Sequence, residues 1–95
     1  MTTSLIPSSQ ELVRATRSAW GLDKRAFGAR IGVTGEFAGR VEHGHQVFGV
    51  ENIARGCTHT DMTVRRFWLD YYALRQGELQ AAIIENCFAA QPQAV

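Results

Sequence analysis

Residues 21–44, GLDKRAFGARIGVTGEFAGRVEHG, constrain the fold of this chain more than any other stretch. They read as two short helices joined by a tight turn. Asp23 stands where the first helix begins, because its carboxylate can accept from backbone N–H groups that a first turn leaves orphaned. Ala26, Phe27 and Ile31 recur at helical spacing and give that helix one apolar face. Gly32 follows where a left-handed residue is needed to end it, Val33 fills the turn, and Thr34 offers a second cap. Phe37, Ala38 and Val41 form the apolar face of the second helix, which Gly44 closes. Gly28 sits inside the first helix, where glycine costs ~1 kcal/mol relative to alanine. That cost is tolerated where two steeply crossed helices approach too closely for a side chain. The competing reading of the same residues is a pair of core helices in an ordinary small α-domain.

The pattern resembles the helix-turn-helix of the phage Cro/cI repressor family, often called XRE-like. The resemblance rests on the mid-helix Gly28, the Gly32-Val33 turn, the anchors Ala38 and Val41, and the closing Glu42-His43-Gly44. With the upstream helix it covers about half the chain. It implies an all-α fold, a lambda-repressor-like helix-turn-helix bundle, with double-stranded DNA as partner. In such a fold the second helix lies in the major groove and its exposed side chains meet base edges. Thr34, Gly35, Glu36, Gly39, Arg40 and His43 take those positions, and Thr34, Glu36, Arg40 and His43 are the candidate base readers. Arg40 can bond guanine O6 and N7 in a bidentate way. Glu36 could accept from a cytosine amino group, or orient Arg40 one turn on. Thr34 could meet a thymine methyl or a phosphate. Lys24, Arg25 and Arg30 are the phosphate candidates, which set register more than sequence. Lys24 replaces the Gln that the family usually carries there, and a cation can still hold a phosphate as a point charge. Arg30 could instead end its helix facing solvent. Gly35 and Gly39, at positions that face DNA in the family, leave a thin reading surface.

The remainder of the chain divides into an arm at residues 1–7, a helix-turn-helix domain at 8–60 and a C-terminal helix at 61–90. Ser8 with Glu11 makes a capping box, and Pro7 against Leu12 makes a staple. Leu12, Ala15, Thr16, Ala19 and Trp20 form one face of a first helix ending at Gly21. Val47, Phe48, Val50, Ile53 and Ala54 suggest a turn and a short helix, with Gly56 as its stop. Thr60 or Asp61 then caps a helix beginning near Met62. Val64, Phe67, Trp68, Tyr71, Leu74, Leu79, Ala82, Ile83 and Phe88 give it a broad apolar stripe, and Gly77 is a place to kink or divide it. So much apolar surface exceeds what a small chain buries, and an exposed excess marks an interface. The expectation is a homodimer through Trp68, Tyr71, Leu79, Ile83 and Phe88. Alternatively, Phe67, Trp68 and Tyr71 close the core over the first helix, while the stretch from Leu79 to Phe88 pairs with the partner. Residues 91–95 read as a frayed tail.

Composition narrows the function. Ninety-five residues with 45% hydrophobic content suit one domain with a real core. No run suits a membrane span, and residues 1–7 lack a signal-peptide layout. Cys57 and Cys87, thirty residues apart without a local motif, read as reduced cytoplasmic thiols. The net charge is only +1, yet residues 8–40 carry six basic residues (Arg14, Arg17, Lys24, Arg25, Arg30, Arg40) against three acidic. A local basic face is what phosphate binding needs. His43, His45, Cys57 and His59 are conceivable zinc ligands, but their paired spacing is shorter than a finger uses. There is no phosphate-binding Gly loop, nucleophile elbow or HExxH motif, so neither an enzyme nor a cofactor is expected. The expectation is a cytoplasmic dimeric repressor on a palindromic operator, with half-sites ~34 Å apart. Two alternatives are an antitoxin whose C-terminal helix also binds a protein toxin, and a protein-interaction module without DNA binding.

Overall fold

The structure is a computed structural model that describes residues 7–90, with side chains through residue 87. Its helices are α1 (Ser9–Trp20), α2 (Lys24–Ile31), α3 (Gly35–Glu42), α4 (Val50–Cys57) and α5 (Met62–Ala90), with no strand among the described residues. The chain is thus the all-α bundle with a long C-terminal helix that the sequence predicts. Apart from Pro7, the expected arm lies outside the described residues, as do the tail at 91–95 and the Phe88 side chain.

Local chemistry sets most helix ends. Ser8 Oγ accepts from the Glu11 N–H at 3.1 Å while the Ser8 N–H donates to Glu11 Oε1 at 2.9 Å, closing the capping box. Asp23 accepts from the Ala26 N–H at 2.8 Å and Thr34 from the Phe37 N–H at 3.0 Å. Gly32 ends α2 at φ 94°, a left-handed conformation that would strain any residue with a Cβ.

The core gathers on the first half of α5. Val64, Phe67, Trp68 and Tyr71 from α5 pack with Val13, Phe27, Ile31, Ala38, Val41 and Phe48. Phe48, in the α3–α4 loop, is its hub: its ring lies 4.9 Å from Trp68, 5.2 Å from Tyr71 and 5.2 Å from Phe37, all near edge-to-face. Tyr71 Oη accepts from the Phe48 N–H at 3.1 Å, which fastens that loop to α5. α1 docks on α5 through a second polar joint. Glu78 Oε2 accepts from the Ser9 N–H and Oε1 from Ser9 Oγ, both at 2.7 Å, with Arg75 donating at 2.9 Å. Burial pushes the Glu78 carboxyl up, but these hydrogen bonds outweigh it and hold its pKa below the usual value. A carboxylate there also complements the positive end of α1.

Several expectations change. Ala15 and Ala19 are exposed, and Val13 is the core residue of α1. The inward face of α1 runs through Ser9, Val13 and Arg17, and its polar members meet Glu78 and Glu42, so an apolar count misses it. Ala26 is likewise exposed; Phe27, Gly28 and Ile31 face inward from α2. Gly56 does not stop α4 but lies inside it, where a Cβ would fall 2.1 Å from Trp68 ring carbons. Gly77 does not divide α5 into two helices. The expected single stripe on α5 is two stripes. Trp68 and Tyr71 are fully buried within one chain, with Phe48 packed on both, so they offer nothing to a dimer interface. Leu79 and Ile83 are exposed, and Leu69 and Tyr72 join them on the outer side. No helix of the described residues is long and apolar enough to cross a membrane.

Candidate nucleic-acid interface

α2 and α3 touch backbone to backbone. A Cβ on Gly28 would lie 2.8 Å from Gly35 N and from the Thr34 carbonyl, and one on Gly35 would lie 2.7 Å from Arg25 Cα. A Cβ on Gly39 would lie 3.3 Å from Lys24 Cδ. Gly35 and Gly39 therefore face α2 rather than a ligand. They were expected on the reading surface; close helix packing accounts for them instead, and that surface is not thinned by them.

Thr34, Glu36, Arg40 and His43 all lie exposed along α3. Thr34 also caps the helix. Arg40 Nε donates to Gln46 Oε1, its Nη1 stands 3.9 Å from Glu36 Oε1, and its guanidinium carbon lies 6.0 Å from the Phe37 ring centroid. His43 Nδ1 lies 2.8 Å from the Gly39 carbonyl, which can only accept, so Nδ1 carries the proton. Nε2 is the ring nitrogen left for another partner. The His43 and His45 rings stack at 6.4 Å with planes 12° apart.

The cations divide into two groups. Lys24 and Arg25 sit exposed on the first turn of α2, beside α3, with no ion pair among the described residues. Arg30, expected to meet phosphate or solvent, is exposed but also makes internal contacts. It lies 4.2 Å over the Trp20 ring and 3.6 Å from Asp61, joining α2 to α1 and to the start of α5. Asp61 is held below the usual carboxylate value, chiefly by the Thr63 N–H.

Arg17 grips Glu42 with both prongs, Nε to Oε1 at 3.0 Å and Nη2 to Oε2 at 2.8 Å, and Arg14 stands 3.6 Å away. The Glu42 side chain is only 5% exposed. The Arg17 hydrogen bonds outweigh burial and hold the Glu42 carboxyl below its ordinary value. The Glu42 carbonyl also accepts from Gln10 at 2.9 Å. α1 thus fixes the far end of α3, and the basic excess counted along residues 8–40 is partly internal. Glu42, Arg17 and Gln46 were not among the expected site residues. Nothing periodic in the sequence couples position 17 to 42, and Gln46 lies outside every helix.

The four conceivable zinc donors are not assembled. His43 and His45 follow α3, Cys57 ends α4, and His59 Nδ1 accepts from the Asp61 N–H at 2.9 Å. Among the described residues no three His, Cys, Asp or Glu side chains stand close enough to hold a metal. Comparison with protein-family models, curated proteins and solved structures finds no match to this chain.

Proposed function

We infer that this chain is a sequence-specific DNA-binding transcriptional regulator, acting in the cytoplasm as a dimeric repressor of a palindromic operator. The observation that carries this reading is the α3 face. It presents Thr34, Glu36, Arg40 and His43 together, rigidly seated on α2 by the Gly28–Gly35 contact, with the unpaired Lys24 and Arg25 alongside. Side chains with donors and acceptors read base edges, and flanking cations hold phosphates and register. Leu69, Tyr72, Leu79 and Ile83, exposed at spacings of 3, 7 and 4 residues along α5, supply the self-pairing surface. The test is selection of bound duplexes from a random pool, followed by binding across a salt series. An enriched motif with affinity falling steeply as salt rises supports the reading, because phosphate contacts release counterions. A chain that retains no duplex at low salt overturns it.

A second reading rests on the same α5 face. An antitoxin would use that face for a protein toxin as well as, or in place of, a second copy. A purified chain that is monomeric, yet pairs with the product of a neighbouring small gene, would favour it.

A further inference from the structure

Gln46 has no role in the expected site, yet it makes the closest contact Arg40 has. It sits in the loop after α3, exposed, with its Oε1 accepting from Arg40 Nε. The consequence lies in what each group has left. A guanidinium carries five N–H donors and no acceptor, so the amide atom facing Nε must be the oxygen. With Nε engaged, Arg40 presents outward the edge formed by Nη1 and Nη2. With Oε1 engaged, Gln46 presents its NH₂ group, two donors. Glu36 stands 3.9 Å from Nη1, beyond hydrogen-bond distance, and its side chain is 85% exposed, so it leaves that edge accessible.

We propose that Arg40 and Gln46 form one reading unit that sets the Arg40 Nη1–Nη2 edge beside the Gln46 NH₂ group, so that Gln46 sets specificity at the base next to the one Arg40 contacts. This deepens the DNA-binding reading and rests on it. Arg40 takes guanine O6 and N7 through its Nη1–Nη2 edge. Gln46 holds the guanidinium plane and gives its amide N–H to the neighbouring base. Guanine O6 or N7, adenine N7 and thymine O4 can accept there, whereas cytosine presents only its N4 donor and would set a donor against a donor.

The experiment is duplex selection with wild type, Gln46→Ala and Gln46→Glu, then equilibrium binding to the enriched site and its single-base variants. Thermal melting confirms that each variant is folded. Wild type is expected to enrich guanine and to exclude cytosine at the neighbouring base. Gln46→Ala is expected to lose about ten-fold discrimination at the neighbouring base, with its salt dependence unchanged. Gln46→Glu keeps an acceptor for Arg40 Nε but replaces the donors with a second acceptor, so its preference at the neighbouring base should switch to cytosine. A purely structural Gln46 predicts no switch. If both variants select the wild-type motif, or the motif lacks guanine, the reading unit is refuted while DNA binding stands. If wild type retains no duplex, both readings fall together.

Discussion

At Arg40 one guanidinium has three neighbours: Gln46 at Nε, Glu36 across 3.9 Å, and the Phe37 ring 6.0 Å beneath. These restrain a side chain that would otherwise lose rotamer entropy on meeting a base. Arg40→Ala should therefore cost ~1–3 kcal/mol of operator affinity and relax preference at one base position. Unchanged affinity and unchanged motif in a gel-shift titration would exclude Arg40 as a reader. Lys24→Ala should behave differently, weakening all duplexes alike and lowering the salt slope by about one. The exposure of Glu36, Arg40 and His43 on one side of α3 was legible in the sequence, because helical spacing decides which side of a helix such residues share. Gln46 was not, because a loop has no period. The count of basic residues along residues 8–40 could not show that Arg17 is held by Glu42 and Arg30 by Asp61, because a charge count ignores distant carboxylates.

At the scale of the helix, glycines do opposite jobs that composition cannot tell apart. Gly56 in α4 gives its space to the Trp68 ring, while a Cβ on Gly77 in α5 would meet nothing within 4 Å. Gly56→Ala should therefore lower stability by ~1–3 kcal/mol through overpacking, outweighing the gain in helix propensity. Gly77→Ala should raise it by about 0.5–1 kcal/mol, because an exposed helix interior favours alanine. Thermal melting of the two variants decides the matter, and a rise for Gly56→Ala would mean that Trp68 moves aside. α5 also leaves the bundle: residues 79–87 are all exposed. A helical segment that short is marginal alone in water, and its apolar side chains are where a partner would hold it. Ile83→Glu should give a monomer with an intact core, read as a halved mass in light scattering. An unchanged mass would move the self-pairing surface elsewhere. The sequence foresaw an excess of apolar residues on α5 but placed Trp68 and Tyr71 in it, because two stripes about a third of a turn apart merge when read as one.

Across the whole molecule, carboxylates tie together helices that are far apart in sequence. Glu42 joins α3 to α1, Glu78 joins α5 to the start of α1, and Asp61 joins the start of α5 to α2 through Arg30. All three are held below their ordinary pKa, so their contribution to stability is full above the unfolded values, 4.5 for the two glutamates and 3.8 for Asp61, and is lost as pH falls through the folded values. The melting temperature should be flat from about pH 6 upward to neutrality and fall below about pH 4.5. Glu42→Gln should melt lower at neutral pH, and its curve should converge on wild type in acid, where Glu42 is protonated in both states. A constant gap down to pH 3 would show that Glu42 acts by shape rather than charge. The sequence by itself determined the all-helical class, most of the breaks and caps, and the glycine contact that seats α3 on α2. Those depend on backbone conformation and on neighbours within one helical turn. Only the tertiary structure decided which cations remain free and which aromatic residues of α5 turn inward. Those outcomes rest on partners 25 residues away for Arg17 and Glu42, and 69 residues away for Ser9 and Glu78, and no local rule reaches that far.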